Sequence, residues 1–516
     1  MEHRISGAWM VVAAIATGAL LFAAAPFVGV GVLAWFALVP VAATAMRLAG
    51  TRTSRWAIPL AYVVYLELLL IPALPFGLTR NQWGDDPVVP ILIGDSPVLI
   101  TAIVILPLAG LALYLLRFPF LVRLRSEAGP NWVSLVAIPS LAFAALDFLR
   151  ASFEPGGLWG PLFASQEDTA ALRLAELGGP ALVSLAIAFA NFSLAYGIIR
   201  GRRALPALAT AGACALAATV GLALSGSAER TGTVTVAAIQ PGYDTAQFEL
   251  PVLSNFRQPG RDDELGTLDL IADLAPLTEE AAADGATLVV WPEATGWADP
   301  FSSEPTRTAL RELVTRTGTT LVVPYFLRAR SHGATVIVGR DGTISRAQPK
   351  QRTMWFLGEK SDNRVPPAPV VVDGLAIGTM LGVDSQNASI ARDLVNAGAD
   401  LLTSSTHDWE QLAPQHAAFA RVAAVSLDVP IVRADWRNVS AIYKADGSVA
   451  ASTGRETRRA IAIAQIETGA GSTAYGTIGG AVGWLAVGFV GAAFAVRVGV
   501  RVRVRRKIAR ARPAPA

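Results

Sequence analysis

The sequence predicts a membrane protein in two parts: a bundle of about eight apolar helices and an α/β layered domain inserted before the last helix. Three observations predict this. The 516 residues are 53% hydrophobic and 16% charged, whereas a soluble domain carries about 25% charged residues. Apolar runs of membrane-spanning length recur through residues 1–228 and 469–516. Between them, residues 229–468 change to short alternating strand and helix patterns.

Eight apolar runs are long enough to cross a bilayer, which requires about 20 residues each. The first has no clear cleavage site and leads directly into the second, so it predicts a span rather than a signal peptide. Seven runs precede the insert and one follows it: 8–25, 28–47, 56–76, 95–116, 132–149, 180–199, 204–224 and 475–496.

Arginine-rich segments follow every even-numbered span. Positive residues favour the cytoplasmic side, so this alternation predicts an extracytoplasmic insert and a cytoplasmic C-terminus in a multi-pass cell-membrane protein. The basic C-terminal tail then predicts a membrane flank rather than a nucleic-acid partner. The basic groups are Arg47, Arg52 and Arg55; Arg117, Arg123 and Arg125; Arg200, Arg202 and Arg203; and Arg497, Arg501, Arg503, Arg505, Arg506, Lys507, Arg510 and Arg512.

Few side chains outside the insert suggest chemistry. Glu67, Asp95 and Asp147 lie in or near spans, where ionisable groups are costly and often functional. We expect Asp95 and Asp147 to lie at span ends near water. The single cysteine, Cys214, excludes an internal disulfide, and the four histidines lack metal-ligand spacing, so we predict no metal and no cofactor.

The insert alternates between strands and helices. Turn signals separate the segments, as at Asp341-Gly342 and Asp446-Gly447. Predicted strands cover 233–239, 287–291, 320–326, 334–339, 375–382, 401–404, 430–434 and 440–444. Predicted helices cover 265–284, 305–318, 389–397 and 411–426.

Two residues of the insert suggest acyl-transfer chemistry, which needs a nucleophile, a base and a group that stabilises an oxyanion. Glu293 ends the apolar run Val289-Val290-Trp291-Pro292, where partial burial raises a carboxyl pKa toward the range of a base. Lys350 is one of three lysines in an insert that otherwise prefers arginine, and it supplies positive charge.

Several blocks, in this order and over nearly the whole chain, resemble the apolipoprotein N-acyltransferase family, the membrane-embedded branch of the nitrilase (carbon–nitrogen hydrolase) superfamily. They are Gly157-Leu158-Trp159-Gly160, Val236-Ala237-Ala238-Ile239-Gln240-Pro241, Trp291-Pro292-Glu293, Lys350, Phe356-Leu357-Gly358-Glu359, Arg392-Asp393-Leu394, Gly398-Ala399-Asp400-Leu401-Leu402, Gln415-His416 and Pro430-Ile431-Val432-Arg433-Ala434.

The resemblance implies an αββα sandwich above the membrane bundle. It also implies acyl transfer from phospholipid to the N-terminal lipidated cysteine of a lipoprotein, through a thioester on the enzyme. Glu293 would be the base, Lys350 the oxyanion and transition-state cation, and Glu359 their support.

The chain departs from the family at the nucleophile. Counting back from Arg392 places that position at Gly382, and the family's Cys-Tyr-Glu becomes Gly382-Val383-Asp384. Glycine has no nucleophilic atom, so we expect Glu293 and Lys350 to face each other beside an open nucleophile position. Ser385 becomes a substitute only if the register of this segment shifts.

Three functions remain open. The first is an N-acyltransferase-like protein that is catalytically altered or inactive, and the second is an active acyltransferase or amidase that uses Ser385. The third is a non-enzymatic scaffold for lipid, lipoprotein or a partner enzyme. A transporter is less favoured because the spans show no inverted repeat. We expect His416 to be a packing or surface residue, and His407 and Asp408 to point apart.

Overall fold

The computed structural model describes residues 7–47, 132–152, 160–201, 209, 212, 230–242, 263–293, 295–327, 332–353, 359–360, 365–408, 413–455 and 458–510. The spans predicted at 56–76 and 95–116, most of the span at 204–224, and the residues Glu67, Asp95 and Cys214 lie outside this part of the chain. The motif residues Gly157 to Trp159 and Phe356 to Gly358 also lie outside it.

Apolar helices make up the N-terminal part. Two described stretches, Leu135–Ser152 and Ala170–Arg200, are long and apolar enough to cross a membrane; Trp9–Ala24, Gly31–Arg47 and Ala481–Ala493 are shorter. The count of eight spans therefore stays a prediction. The helices are α1 Gly7–Ala24, α2 Ala34–Ala37, α3 Val39–Arg47, α4 Ile138–Ser152 and α5 Leu174–Arg200.

Buried polar groups fix these helices to one another. Asn191 of α5 accepts a hydrogen bond from the Leu38 backbone at 2.8 Å and donates one to the Ala34 carbonyl at 2.8 Å. Asp147 of α4 is 1% exposed and accepts hydrogen bonds from the Leu162 backbone at 2.6 Å and from Ser184 Oγ at 2.8 Å. The expectation that Asp147 lies near water is therefore wrong, because a neighbouring loop and helix cover it.

The insert folds into two six-stranded sheets. Their orders are β12-β1-β2-β3-β4-β5 and β11-β10-β9-β8-β7-β6. The neighbours β1, β2 and β3 are parallel in the first sheet, as are β7, β8 and β9 in the second. The strands are β1 Gly232–Gln240, β2 Leu288–Val290, β3 Thr320–Leu327, β4 His332–Val338, β5 Gln348–Pro349, β6 Val370–Val372, β7 Leu375–Leu381, β8 Leu401–Thr406, β9 Ile431–Asp435, β10 Ala441–Tyr443, β11 Val449–Ser452 and β12 Ala460–Thr468.

The two sheets pack face to face, with helices on both outer faces. Alternating strand residues such as Val290 and Val432 form the core between the sheets. Helices α6 Asp263–Ala283 and α7 Glu304–Thr317 cover the first sheet, and α8 Ala388–Asn396 and α9 Ala413–Leu427 cover the second. The αββα sandwich implied by the resemblance is confirmed.

Helix α9 also joins the sandwich to the apolar bundle. Ala420 and Ala424 face the second sheet. On its other side, Phe419 and Val422 belong to the same buried cluster as residues of α1, α3 and α5. Because α9 is covered on both sides, it is nearly fully buried despite its position at the edge of the sandwich.

The C-terminal helix differs from the predicted span at 475–496. Helix α10 Ala474–Ile478 ends at Gly479, where φ is +58°, and α11 Ala481–Arg510 begins two residues later. The side chain of Arg392 occupies the space where a Cβ of residue 479 would lie. The helix then continues through the basic run to Arg510, beyond the predicted end of the span.

Candidate active site

Glu293 is positioned by both sheets. It follows β2, and its backbone N–H donates to the carbonyl of Thr406 at the end of β8, at 3.3 Å. The Trp436 indole donates to the Glu293 carbonyl at 2.5 Å, and Ser405 Oγ donates to the Trp291 carbonyl at 2.7 Å. Since β2 and β8 belong to different sheets, these bonds place Glu293 at the carboxyl end of the intersheet core.

Lys350 and Glu359 complete a three-residue ionic cluster. Lys350 follows β5, and its backbone N–H donates to Gly333 on β4 at 2.9 Å. Its Nζ lies 2.8 Å from Oε1 of Glu293 and 3.0 Å from Oε1 of Glu359. The Lys350 side chain is 1% exposed, and the two carboxylates are 14% and 11% exposed. The structure therefore brings together the three residues that the resemblance implied.

Burial controls the protonation of this cluster. It raises the pKa of Glu293 to about 7, with Lys350 opposing the rise and Glu359 adding to it. Burial alone would lower the pKa of Lys350, but the two carboxylates outweigh it and raise that pKa above its ordinary value. The two carboxylates thus favour the charged form of Lys350, whereas burial favours the protonated form of Glu293.

Gly382 lies directly against the Glu293 carboxylate. It directly follows β7, has φ +54°, in the left-handed region that favours glycine, and begins the short helical turn Gly382–Gln386. A Cβ at this position would lie 2.5 Å from Oε2 and 2.6 Å from Oε1 of Glu293. The expectation of an open nucleophile position is therefore wrong, because the carboxylate fills that space.

Asp384 links the turn to the loop that carries Lys350. Its carboxylate accepts hydrogen bonds from the backbone N–H groups of Arg352 at 2.6 Å, Gln351 at 3.1 Å and Leu381 at 3.3 Å. Burial raises its pKa to about 7 despite these three bonds. From the sequence, Asp384 stood out only as a shortened acidic residue, whereas the structure gives it a positioning role.

Ser385 does not join the ionic cluster. Its Oγ donates to the Gly382 carbonyl at 2.8 Å, and within the described residues it bonds neither Glu293 nor Lys350. The side chain lines a separate cavity of about 300 Å³. The structure thus keeps the register in which Gly382 stands beside Glu293, and Ser385 faces away from it.

A second buried charge cluster lies beneath α9, and we did not predict it. His416 Nδ1 lies 2.8 Å from Asp408 Oδ1, and Arg433 pairs with both Asp408 and Asp435. Although burial opposes it, the charges of His416 and Arg433 lower the pKa of Asp408 to about 2. The sequence signal for this cluster was a charged residue, Arg433, inside the otherwise apolar first part of β9.

The neighbouring histidines have different surroundings. His416 is buried, and within the described part of the chain its Nε2 has no hydrogen-bond partner. It packs within the core as expected, and a hydrogen bond with Asp408 holds its ring. Burial lowers the pKa of His407 to about 4, and its ring packs against Trp436 with centroids 5.9 Å apart. Asp408 contacts His416 rather than the adjacent His407.

The family model described as carbon–nitrogen hydrolase matches residues 256–475, a domain that contains the Glu–Lys–Glu cluster. Beyond this domain, the chain is similar to the apolipoprotein N-acyltransferase of Gloeobacter violaceus. The two are 27% identical over 491 residues, which cover 86% of each chain. The resemblance to the apolipoprotein N-acyltransferase family is therefore confirmed.

Solved structures to which this chain is similar include a carbon–nitrogen hydrolase from Helicobacter pylori G27. It is 16% identical, with 46% of this chain and 89% of that chain covered and a TM-score of 0.37. Nit3 of Saccharomyces cerevisiae, a member of the nitrilase superfamily, is 15% identical. The match covers 47% of this chain and 93% of that chain, with a TM-score of 0.37.

Proposed function

We propose that this chain is an apolipoprotein N-acyltransferase-like membrane protein that binds the ligands of that family without forming a thioester. One observation carries the proposal. The carboxylate of Glu293 lies against the Cα of Gly382, within 2.6 Å of the position that any Cβ there would occupy. The residue that would carry the acyl group is absent, and its space is filled.

The electrostatics of the cluster support the same proposal. In acyl transfer, a cation stabilises an oxyanion that develops beside the nucleophile. Here the Lys350 ammonium already contacts Glu293 at 2.8 Å and Glu359 at 3.0 Å. An incoming carbonyl would have to compete with these two carboxylates for the ammonium group in a buried site. The ionic cluster therefore stabilises the closed site rather than a reaction intermediate.

The membrane placement is the second part of the proposal. Two described helices have the length and composition of spans, and the similar Gloeobacter violaceus protein matches over most of this chain. With the arginine-rich segments on the cytoplasmic side, about eight spans hold the sandwich on the extracytoplasmic face. The C-terminal end of α11 then lies in the cytoplasm.

The ligands follow from the resemblance. The family acts on phospholipid and on the N-terminal lipidated cysteine of lipoproteins, so we expect this chain to bind one or both as a scaffold, alone or with a partner enzyme. The alternative is an active acyltransferase or amidase that uses Ser385. The exposure of Ser385 to a cavity favours this alternative, whereas its bond to the Gly382 carbonyl holds the hydroxyl away from Glu293.

An acyl-adduct assay separates the two functions. The purified protein is incubated with phospholipid that carries a radiolabelled acyl chain, then denatured and tested for covalent label. We expect no label on the wild type or on Ser385→Ala. A label on the wild type that disappears in both Ser385→Ala and Glu293→Gln would establish the active alternative. Co-sedimentation with vesicles that contain a diacylated lipopeptide measures binding in the same preparations, and absence of binding would refute the scaffold.

A further inference from the structure

We propose that Asp435 and Trp436 are positioning residues that keep the carboxylate of Glu293 against Gly382 and so hold the ionic cluster closed. Both belong to the segment of residues 435–440 at the end of β9, here named the bracing loop. Because it concerns the closed site, this assignment rests on the proposed function. It adds the part of the chain that keeps the site closed.

The second sheet holds the main chain of Glu293 at both of its polar groups. The Glu293 N–H donates to the carbonyl of Thr406 at 3.3 Å, and the Glu293 carbonyl accepts a hydrogen bond from the Trp436 indole at 2.5 Å. Thr406 ends β8 and Trp436 follows β9, whereas Glu293 lies beyond β2 of the first sheet. The position of Glu293 is therefore set by bonds that cross from one sheet to the other.

The buried carboxylate of Asp435 organises both of these partners. Its Oδ2 accepts hydrogen bonds from Thr406 Oγ1 at 2.7 Å and from the backbone N–H of Asp408 at 3.1 Å. Its Oδ1 accepts from the backbone N–H groups of Arg437 at 3.1 Å and Asn438 at 3.2 Å. One oxygen therefore holds the end of β8 and the other holds the bracing loop, so the two partners of Glu293 move together.

The bracing loop fixes the direction of the Trp436 indole. Ser440 Oγ accepts from the Asp435 N–H at 2.9 Å and closes the loop, and the Trp436 carbonyl accepts from the Gly242 N–H at 2.9 Å. The indole is buried, and its ring packs against that of His407 with centroids 5.9 Å apart. Because the main chain and the ring of Trp436 are both held, the indole N–H stays directed at Glu293.

The bracing loop acts on the Glu293 carboxylate through the main chain of that residue. Oε2 and Oε1 lie 2.5 Å and 2.6 Å from the position of a Cβ at Gly382, and Oε1 also accepts from Lys350 Nζ at 2.8 Å. Carbon and oxygen normally stay about 3.3 Å apart, so a retreat of about 0.8 Å would restore an ordinary contact. Loss of the indole donor frees the Glu293 carbonyl for a shift of this size, because it leaves the longer bond to Thr406 to restrain the main chain.

Thermal melting of the full-length protein in detergent, followed by circular dichroism, tests this role. The fall in melting temperature caused by Gly382→Ala is compared between the wild type and single-variant backgrounds. Trp436→Phe keeps a ring but lacks the N–H donor, and we expect it to reduce the Gly382→Ala shift at least twofold. Asp435→Asn should also reduce the shift, because its NH₂ group cannot accept hydrogen bonds. The matched control is Trp291→Phe, which removes a buried indole bond to Thr278 of α6 at 3.0 Å and should leave the shift unchanged.

A purely structural role predicts a different pattern. A substitution that only loosens the sandwich leaves the Gly382→Ala shift as it is, because independent effects add. The Glu293→Ala background shows whether the carboxylate carries the effect. There, Gly382→Ala should lower the melting temperature equally with and without Trp436→Phe.

Two results would overturn the assignment: an undiminished Gly382→Ala shift in Trp436→Phe, or an equal reduction of that shift in Trp291→Phe. If Asp435→Asn does not fold, Trp436→Phe still decides. Failure of the proposed function is recognised separately, because it appears as covalent label on the wild type in the acyl-adduct assay, whereas the melting comparison uses no acyl donor.

Discussion

Replacing Gly382 with alanine should destabilise the protein by about 2.5–5 kcal/mol. The left-handed φ of +54° costs a residue with a Cβ roughly 1–2 kcal/mol. The new Cβ would also lie 2.5 Å and 2.6 Å from the two oxygens of Glu293, whereas carbon and oxygen atoms normally stay about 3.3 Å apart. The carboxylate must therefore retreat by nearly 1 Å and lose its 2.8 Å bond to Lys350, which contributes about 1.5–3 kcal/mol.

A double-mutant cycle isolates the contact. In the Glu293→Ala background no carboxylate opposes the new methyl group, so Gly382→Ala should cost only the backbone penalty of about 1–2 kcal/mol. Both differences in the free energy of unfolding are measured by denaturant titration in detergent, with tryptophan fluorescence as the signal. Gly318→Ala is the matched control, because Gly318 has φ +68° and no heavy atom lies within 4 Å of the position that a Cβ would take there.

Two results would refute this reasoning. One is that Gly382→Ala lowers the free energy of unfolding equally with and without the Glu293 carboxylate. The other is that it lowers this free energy no more than Gly318→Ala does. The variant Gly382→Cys extends the test to chemistry. We expect no labelled thioester from labelled phospholipid, since the thiol and the carboxylate compete for one space. A labelled thioester would mean that Glu293 withdraws and that the remaining machinery still works.

Two further predictions concern buried charge. Because burial raises the pKa of Glu293 and of Asp384 to about 7, the folded state binds more protons than the unfolded state between the ordinary pKa values and pH 7. The contribution of these two carboxyl groups to stability should therefore fall as pH rises from 5 to 8, so the melting temperature of Glu293→Gln or of Asp384→Asn should fall less over this range than that of the wild type; the same pH dependence in wild type and both variants would contradict this. Asp408→Asn should destabilise the fold by about 3 kcal/mol, because it leaves Arg433 buried with one carboxylate partner fewer. Glu312→Gln on the exposed face of α7 is the control for that measurement, and equal melting of the two variants would argue against the ion pair.

The alternation of strands and helices predicted most of the sandwich, because each long element carries its own hydrophobic period. The short strands β5, β6 and β11 were missed, whereas β2 and β10, of three residues each, were predicted because they lie within longer apolar runs. The nine-residue strand β12 was also missed. Its pairing with β1 along the whole length is a long-range property that the local sequence does not encode.

The site was partly predictable for a similar reason. Motif order identified Glu293, Lys350 and Glu359, and the structure joins them through hydrogen bonds of 2.8 Å and 3.0 Å. Sequence alone treated Gly382 as an open position, because residue identity does not show which neighbour moves into a vacated space. The role of Asp384 was likewise hidden, since its partners are backbone N–H groups from a segment more than 30 residues earlier.

The pairing of β1 with β12 has an architectural consequence. The chain enters the sandwich at Gly232 and leaves it at Thr468, and these two residues are direct partners in the ladder, so their Cα atoms lie about 5 Å apart. A unit whose entrance and exit are adjacent can be accommodated between two consecutive helices without separating them. The sandwich thus connects to the rest of the chain at one place, because its first strand begins beside the residue where its last strand ends.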